Sequence, residues 1–261
     1  EQASNASVTA RFLVVARLFD GPRDSYVSVI FRDGEGREKR VQLRREMHAR
    51  PPALRVRRED GHVGVVQFNI FTEEIAAGFL RALKDELKDA RGLVVDLREN
   101  GGGEAEAMAD IASTFLPVGQ SLGQFTDRAG RVQLEPHTRS LPVSTAEMLT
   151  SFRGPVVVLT SAKTASASEV LVAALKEEER ATVVGENTCG CVLGIRRRHA
   201  LPDGGLLDVS EMDYHTMGGK RLEGAGVRPD EMVSPTRRDL QTGRDRALKR
   251  ALEILKAVNK N

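Results

Sequence analysis

Two stretches of the chain join a strand-length apolar run to a turn of small residues that could hold a reactive hydroxyl or an anion. In the first, Val156-Val157-Val158-Leu159 is an apolar run of strand length. It is followed by Thr160-Ser161-Ala162-Lys163-Thr164-Ala165-Ser166-Ala167-Ser168-Glu169, a loop of small, hydroxyl-bearing residues. A helical pattern runs from about Ser166 to Leu175. A strand that turns through tiny residues into a helix can expose one hydroxyl beside unpaired backbone N–H groups. The helix N-terminus stabilises negative charge at that spot. The same pattern also fits a serine that only caps the helix.

In the second, Gly92-Leu93-Val94-Val95-Asp96-Leu97-Arg98-Glu99-Asn100 runs into Gly101-Gly102-Gly103, ahead of a helix from Glu104 to Phe115. Three glycines permit positive φ and present N–H groups with no Cβ in the way. An oxyanion-binding turn needs that geometry, whereas a plain strand–helix turn needs only one or two glycines. Asp96, Arg98 and Asn100 are read as structural, with carboxylate and guanidinium pinning the turn by hydrogen bonds.

Four ordered motifs resemble the C-terminal processing peptidases and the tricorn core, a family of serine peptidases. They are DLRENGGG (Asp96 to Gly103), LTSAKTASASE (Leu159 to Glu169), VVGENTCG (Val183 to Gly190) and EGAGVRPD (Glu223 to Asp230). The resemblance runs from His62 to the C-terminus and implies Ser166 as nucleophile. Ser168, the rival hydroxyl, is expected to cap or pack. The backbone N–H groups of Gly103 and Ala167 are implied as the oxyanion donors. Processing peptidases carry a lysine base in a T-x-G-K-G motif, but here Thr188-Cys189-Gly190-Cys191-Val192 puts Cys191 in its place. A Ser–Lys dyad through that position is excluded. The tricorn branch also lacks the lysine and looks to a histidine supported by a serine and a glutamate. Glu223 matches that glutamate and is carried over as the orienting carboxylate. The branch's histidine lies upstream of its PDZ module, so the resemblance implies a base outside these residues. Candidates within the chain are His48, His62, His137, His199 and His215. His48, in the connector before the core, and His215, in the loop before Glu223, rank first.

The elements that position these residues follow from periodicity. Ser7 to Phe19 predicts an amphipathic helix stopped by Gly21-Pro22. Tyr26 to Phe31 and Lys39 to Leu43 predict a hairpin around Asp33-Gly34-Glu35-Gly36. This stretch resembles the second half of a PDZ domain, whose first half would lie upstream; in the family such a domain captures peptide ends at a sheet edge. A small α/β appendage without that role is the alternative. Arg44 to Asp60 reads as a basic connector, extended at Pro51-Pro52. A strand His62–Ile70 precedes a helix Glu73–Leu87, capped by Thr72 with Ile75, Phe79, Leu83 and Leu87 on one stripe. Pro117 to Pro155 is long and irregular, with short strands near 120–125 and 132–134, and could border a cleft. A strand Ala181–Val184, a hairpin turning at Pro202-Asp203-Gly204-Gly205 and a last helix Asp245–Val258 complete the chain. Alternating strands and helices imply an α/β fold. The resemblance sharpens this to the ClpP/crotonase-like spiral ββα core. The expected organisation is a partial PDZ-like α/β segment at 1–47 and a peptidase core at 48–261.

Composition bounds the function. A chain of 261 residues is enough for one large domain or slightly more. The net charge of +2 argues neither for nor against nucleic acid, but no Lys/Arg block with interleaved aromatics appears, Trp is absent and aromatics are few, so no nucleic-acid partner is expected. No apolar run reaches the roughly 18 residues a membrane span needs. No metal or cofactor motif is present. Cys189 and Cys191 are read as free thiols, because bridging residues two apart along a strand is strained. The expected partner is a protein or peptide substrate. Nothing in the sequence gives an oligomeric state or a compartment; the resemblance points to the bacterial envelope, or to the cytosol for tricorn itself. The leading function is a serine endopeptidase. The alternatives are a non-catalytic ligand- or peptide-binding module on the same fold, as in the retinoid-binding proteins that resemble this core, and, ranked last, a crotonase-like acyl-CoA enzyme.

Overall fold

The computed structural model describes residues 18–46, 51–141 and 152–258. These divide into two compact units, one within Glu1–Pro51 together with Pro235–Arg244, the other Pro52–Ser234 with Asp245–Asn261.

The first unit contains β1 (Tyr26–Arg32) and β2 (Glu38–Arg44), paired antiparallel from Tyr26↔Arg44 to Arg32↔Glu38. The expected turn joins them: Asp33 Oδ1 accepts from the N–H groups of Glu35 and Arg37 (2.9 and 3.0 Å). The helix expected over Ser7–Phe19 lies outside the described residues, except for Leu18 and Phe19, which are helical.

The second unit is built on a six-stranded sheet of order β12-β9-β8-β5-β4-β3. The strands are β3 (Leu54–Glu59), β4 (Val63–Phe68), β5 (Gly92–Asp96), β8 (Val156–Thr160), β9 (Ala181–Gly185) and β12 (Glu231–Met232). All neighbours are parallel except the antiparallel β3–β4 pair. The central strands β5 and β8 are buried at every residue, as expected of parallel strands covered on both faces. Alternation divides their side chains between the two faces. Val66, Val95, Val158 and Val183 pack under α1 (Glu73–Lys84), α2 (Ala105–Ala112) and α3 (Ala167–Glu177). Val65, Val94, Val157 and Val184 pack with Ala247, Ala251 and Leu255 of the last helix, α5 (Arg246–Val258). Thr72 caps α1, its hydroxyl accepting from Ile75 N–H at 3.3 Å, and the stripe Ile75, Phe79, Leu83 and Leu87 is buried.

A second, four-stranded sheet has order β10-β11-β6-β7, from β6 (Gln124–Thr126), β7 (Val132–Leu134), β10 (Gly194–Ala200) and β11 (Leu206–His215). The hairpin turns where the sequence placed it, with Leu201 N–H donating to Gly205 O at 2.8 Å.

Three elements depart from the sequence reading, the two-residue strand β12 being the least of them. The basic stretch taken wholly as connector contains β3. There Leu54 and Val56 pack on the core while Arg55, Arg57 and Arg58 alternate outward or flank the edge, the charged composition of a protected edge strand. The short helix α4 (Arg237–Thr242), in the first unit, was not anticipated. Its signal is local: Thr236 and Asp239 cap each other reciprocally, and Gly243 closes it at φ 67°.

Candidate active site

β5 and β8 are parallel neighbours, so the loops at their carboxyl ends emerge side by side, the place where open α/β sheets bind ligands. The two loops are stitched together. Thr164 Oγ1 donates to Leu97 O (2.9 Å), Ser161 Oγ to Arg98 O (2.6 Å), and Ala165 N–H and Ser168 Oγ to Asn100 O (3.2 and 3.1 Å). Ser168 is fully buried and spends its hydroxyl in this way.

Ser166 stands at the entrance to α3 with φ 56° and ψ −125°. Positive φ is uncommon for a residue with a Cβ and marks stored strain that the surroundings must hold. Two acceptors hold it here: Ser166 N–H donates to Cys191 O (2.9 Å) and to Glu169 Oε2 (3.2 Å). Glu169 is completely buried on the first turn of α3. It also accepts from Thr188 Oγ1 (2.5 Å), Gly190 N–H (2.7 Å) and Cys191 N–H (2.9 Å). Burial raises its pKa above the ordinary glutamate value, and those donors offset the rise only in part. The sequence reading assigned Glu169 no role, although the Ser166-x-x-Glu169 spacing is the signature of a reciprocally capped helix start.

The glycine turn faces this corner. Gly102 has φ 107°, and a Cβ on it would lie 2.6 Å from Ser166 Cβ and 3.1 Å from Ser166 Oγ. Gly103 has φ 140°, and its Cβ would lie 2.3 Å from Phe71 O. Phe71 N–H and O bind Gly102 O and Glu104 N–H and so fix the turn (2.9 and 3.0 Å). Asn100 Oδ1 accepts from Gly102 N–H at 2.9 Å, while its Nδ2 is buried without a partner. Among the described residues, the N–H groups of Gly103 and Ala167 donate to no acceptor.

Asp96 and Arg98 are structural. Arg98 Nε and Nη2 pair with both oxygens of Asp96 (2.9 and 2.7 Å), and Nη1 and Nη2 with both oxygens of Asp245 (2.9 and 2.8 Å). This clamp ties the β5 corner to the start of α5. Burial disfavours charge on Asp245, but the Arg98 hydrogen bonds, the Leu248 N–H and the charges of Arg98 and Arg57 together outweigh it and hold the carboxyl below its ordinary pKa.

The remaining sequence candidates are dispersed. Glu223, half-buried, accepts from Val192 and Leu193 N–H through Oε2 (2.8 and 3.2 Å) and so grips the loop beyond Cys191. His215 ends β11, in register with Gln124. His48 lies outside the described residues. His137 Nδ1 contacts Glu135 O, and His199 Nε2 lies 3.7 Å from Glu211. Among the described residues, no side chain hydrogen-bonds to the Ser166 hydroxyl.

The two cysteines correct the sequence reading. Cys189 and Cys191 form a disulfide. They do not lie along a strand, where residues two apart would be about 6.6 Å apart. Gly190 turns the chain at φ 69° and leaves the Cα atoms 5.2 Å apart, within disulfide reach. Gly190 is confined to glycine by close approach as well, since a Cβ there would meet Gly226 N at 2.9 Å.

The family model described as Peptidase family S41 matches residues 62–233, well over half of the chain. The chain belongs to peptidase family S41. Carboxyl-terminal-processing peptidase 1, chloroplastic, from Arabidopsis thaliana is 30% identical over 224 residues, covering 83% of this chain and 44% of that protein. The solved photosystem II D1 C-terminal processing protease superposes with TM-score 0.61 at 28% identity, over 82% of this chain and 57% of that one. The tricorn protease shares the fold, with TM-score 0.59 at 17% identity, over 92% of this chain and 23% of that one. The chain spans less than half the length of the curated relatives it matches. Among the described residues of this S41 chain, no helix is long and apolar enough to cross a membrane.

Proposed function

We propose that this S41 chain carries the nucleophile and oxyanion site of a serine endopeptidase acting on proteins or peptides. The observation that carries the reading is the pair of unspent N–H groups, Gly103 and Ala167, flanking a serine held at positive φ. Ser166 Oγ attacks the scissile carbonyl carbon as a base takes its proton. The carbonyl oxygen becomes an oxyanion that accepts from Gly103 and Ala167 N–H, and α3 contributes its N-terminal field. Collapse expels the amine, protonated by the same base, and leaves an acyl-enzyme on Ser166 that water hydrolyses. Cys191 is not the base, since its sulfur is committed to the disulfide. The base is assigned to a histidine: His48 or His215, or the upstream histidine of the tricorn pattern, with Glu223 as its orienting carboxylate. The ClpP/crotonase-like spiral belongs to the same reading, as does the division into a PDZ-like segment at 1–47, binding peptide ends, and a core at 48–261.

A second reading, a binding module without turnover, is favoured by the absence of any side chain bonded to the Ser166 hydroxyl among the described residues. One experiment separates the two. The whole protein is assayed for peptide cleavage beside its Ser166→Ala variant. The peptidase reading expects cleavage that the variant loses. Equal cleavage by both, or none by either, contradicts it.

A further inference from the structure

The disulfide sits in a loop that holds the Ser166 backbone from outside its own corner. Cys189 N–H donates to Thr164 O (2.9 Å), Gly190 and Cys191 N–H to Glu169 (2.7 and 2.9 Å), and Cys191 O accepts the Ser166 N–H (2.9 Å). Gly190 O in turn accepts from Gly224 N–H (2.8 Å). Cys191 therefore stands between Glu169 and Ser166, bonded to each through its backbone. Neither half-cystine is a buried residue, and partial exposure is the setting in which a thiolate can attack a disulfide.

We propose that Cys189–Cys191 is a thiol–disulfide exchange site for a dithiol reductant, and that its redox state sets how firmly the Ser166 backbone is held. The structural half of the inference stands without the peptidase reading; only its consequence for turnover rests on that reading. In the exchange, a reductant thiolate attacks one cystine sulfur and forms a mixed disulfide, and the other sulfur leaves as a thiolate. The reductant's second thiol then resolves the mixed disulfide. The net change converts one protein disulfide and one dithiol into two protein thiols and one reductant disulfide, transferring two electrons and two protons to the protein. The closed Cys-Gly-Cys loop has few conformations. Once opened, Gly190 regains the freedom of glycine, and the Cys191 carbonyl is kept under the Ser166 N–H by hydrogen bonds alone. The oxidised protein is the one with a firmly held nucleophile corner.

The test is backbone hydrogen exchange at Ser166 in the full chain, before and after dithiothreitol, with thiols counted by alkylation. The expected result is no alkylatable thiol before treatment and two after, with Ser166 exchange accelerated about tenfold or more and the buried amides of Val172 to Leu175 unchanged. A Cys189→Ser/Cys191→Ser variant should exchange rapidly at Ser166 with or without reductant. Ser166 exchange equal within twofold in the two states of the natural chain overturns the proposal, as does failure of dithiothreitol to release thiols. The natural chain alone decides the matter if the double variant does not fold. Because exchange needs no turnover, loss of the peptidase reading would leave this result standing, and the reverse also holds.

Discussion

The two corners at the carboxyl ends of β5 and β8 follow one plan, a fully buried strand that turns through small residues into a helix, but they hold their shape differently. The β5 corner uses glycines at its positive-φ positions, so the backbone itself carries no strain. Its shape is fixed by close approach, to Ser166 from Gly102 and to Phe71 from Gly103. The β8 corner puts a serine at φ 56° and must be held from outside, by Glu169 and by the Cys191 carbonyl. One corner is shaped by what it lacks, a Cβ; the other by what grips it. The difference predicts where each will break.

The largest effect should come from the glycine corner. Gly103→Ala combines a φ of 140° with a Cβ 2.3 Å from a backbone oxygen that cannot swing aside. A loss of about 3 kcal/mol or more is expected, on the scale of strained backbone and overpacking combined, read as a fall in urea midpoint or as failure to fold. Gly102→Ala should act on Ser166 instead, because its Cβ would lie 2.6 Å from the serine Cβ. Reactivity of the hydroxyl should fall by roughly 100-fold, the size of effect that a misplaced reacting group of about 1 Å produces, with a smaller change in stability.

The serine corner should break through its supports. Glu169→Gln keeps the volume but turns an N–H₂ group toward donors that a carboxylate satisfies at both oxygens. Leaving buried donors unpaired costs about 1–3 kcal/mol, measurable by chemical denaturation. A variant as stable as the natural chain would mean that Glu169 is not the support described here.

The Arg98–Asp245 clamp gives a smaller, pH-dependent effect. Asp245 has a depressed folded-state pKa. Its contribution is fully present above the unfolded aspartate value, near pH 4, and is lost as pH falls through the lower folded value. Asp245→Asn should therefore flatten the loss of stability on acidification below about pH 4. An unchanged slope would argue against the clamp. The smallest effect is the control: Gly101, beside the other two glycines, has no positive φ, and a Cβ added to it would meet no atom within 4 Å. Gly101→Ala should stay within about 0.5 kcal/mol of the natural chain, as ordinary surface changes do.

What was legible in the sequence follows the same division. The buried runs at 93–96 and 156–160, the stripe on α1 and the capping Thr72 were readable because periodicity and caps are local signals. The glycine corner was readable because three adjacent glycines have few other uses. Of the supports of Ser166, only the Ser166-x-x-Glu169 spacing was a local signal. Glu169 reaches Thr188, Gly190 and Cys191 across a long gap in sequence, and no local pattern announces such a contact. The disulfide was missed because a strand was assumed where Gly190 makes a turn. β3 was missed because its three arginines outweighed Leu54 and Val56, and α4 because a single turn and a half leaves only its caps as a signal.

The most direct test of the account is fluorophosphonate labelling of the whole protein, with the adduct located by mass spectrometry and Ser166→Ala and Ser168→Ala run in parallel. The account predicts an adduct on Ser166, abolished by Ser166→Ala and retained by Ser168→Ala, whose hydroxyl is already committed to Asn100. An adduct on Ser168, or labelling undiminished in Ser166→Ala, would contradict it.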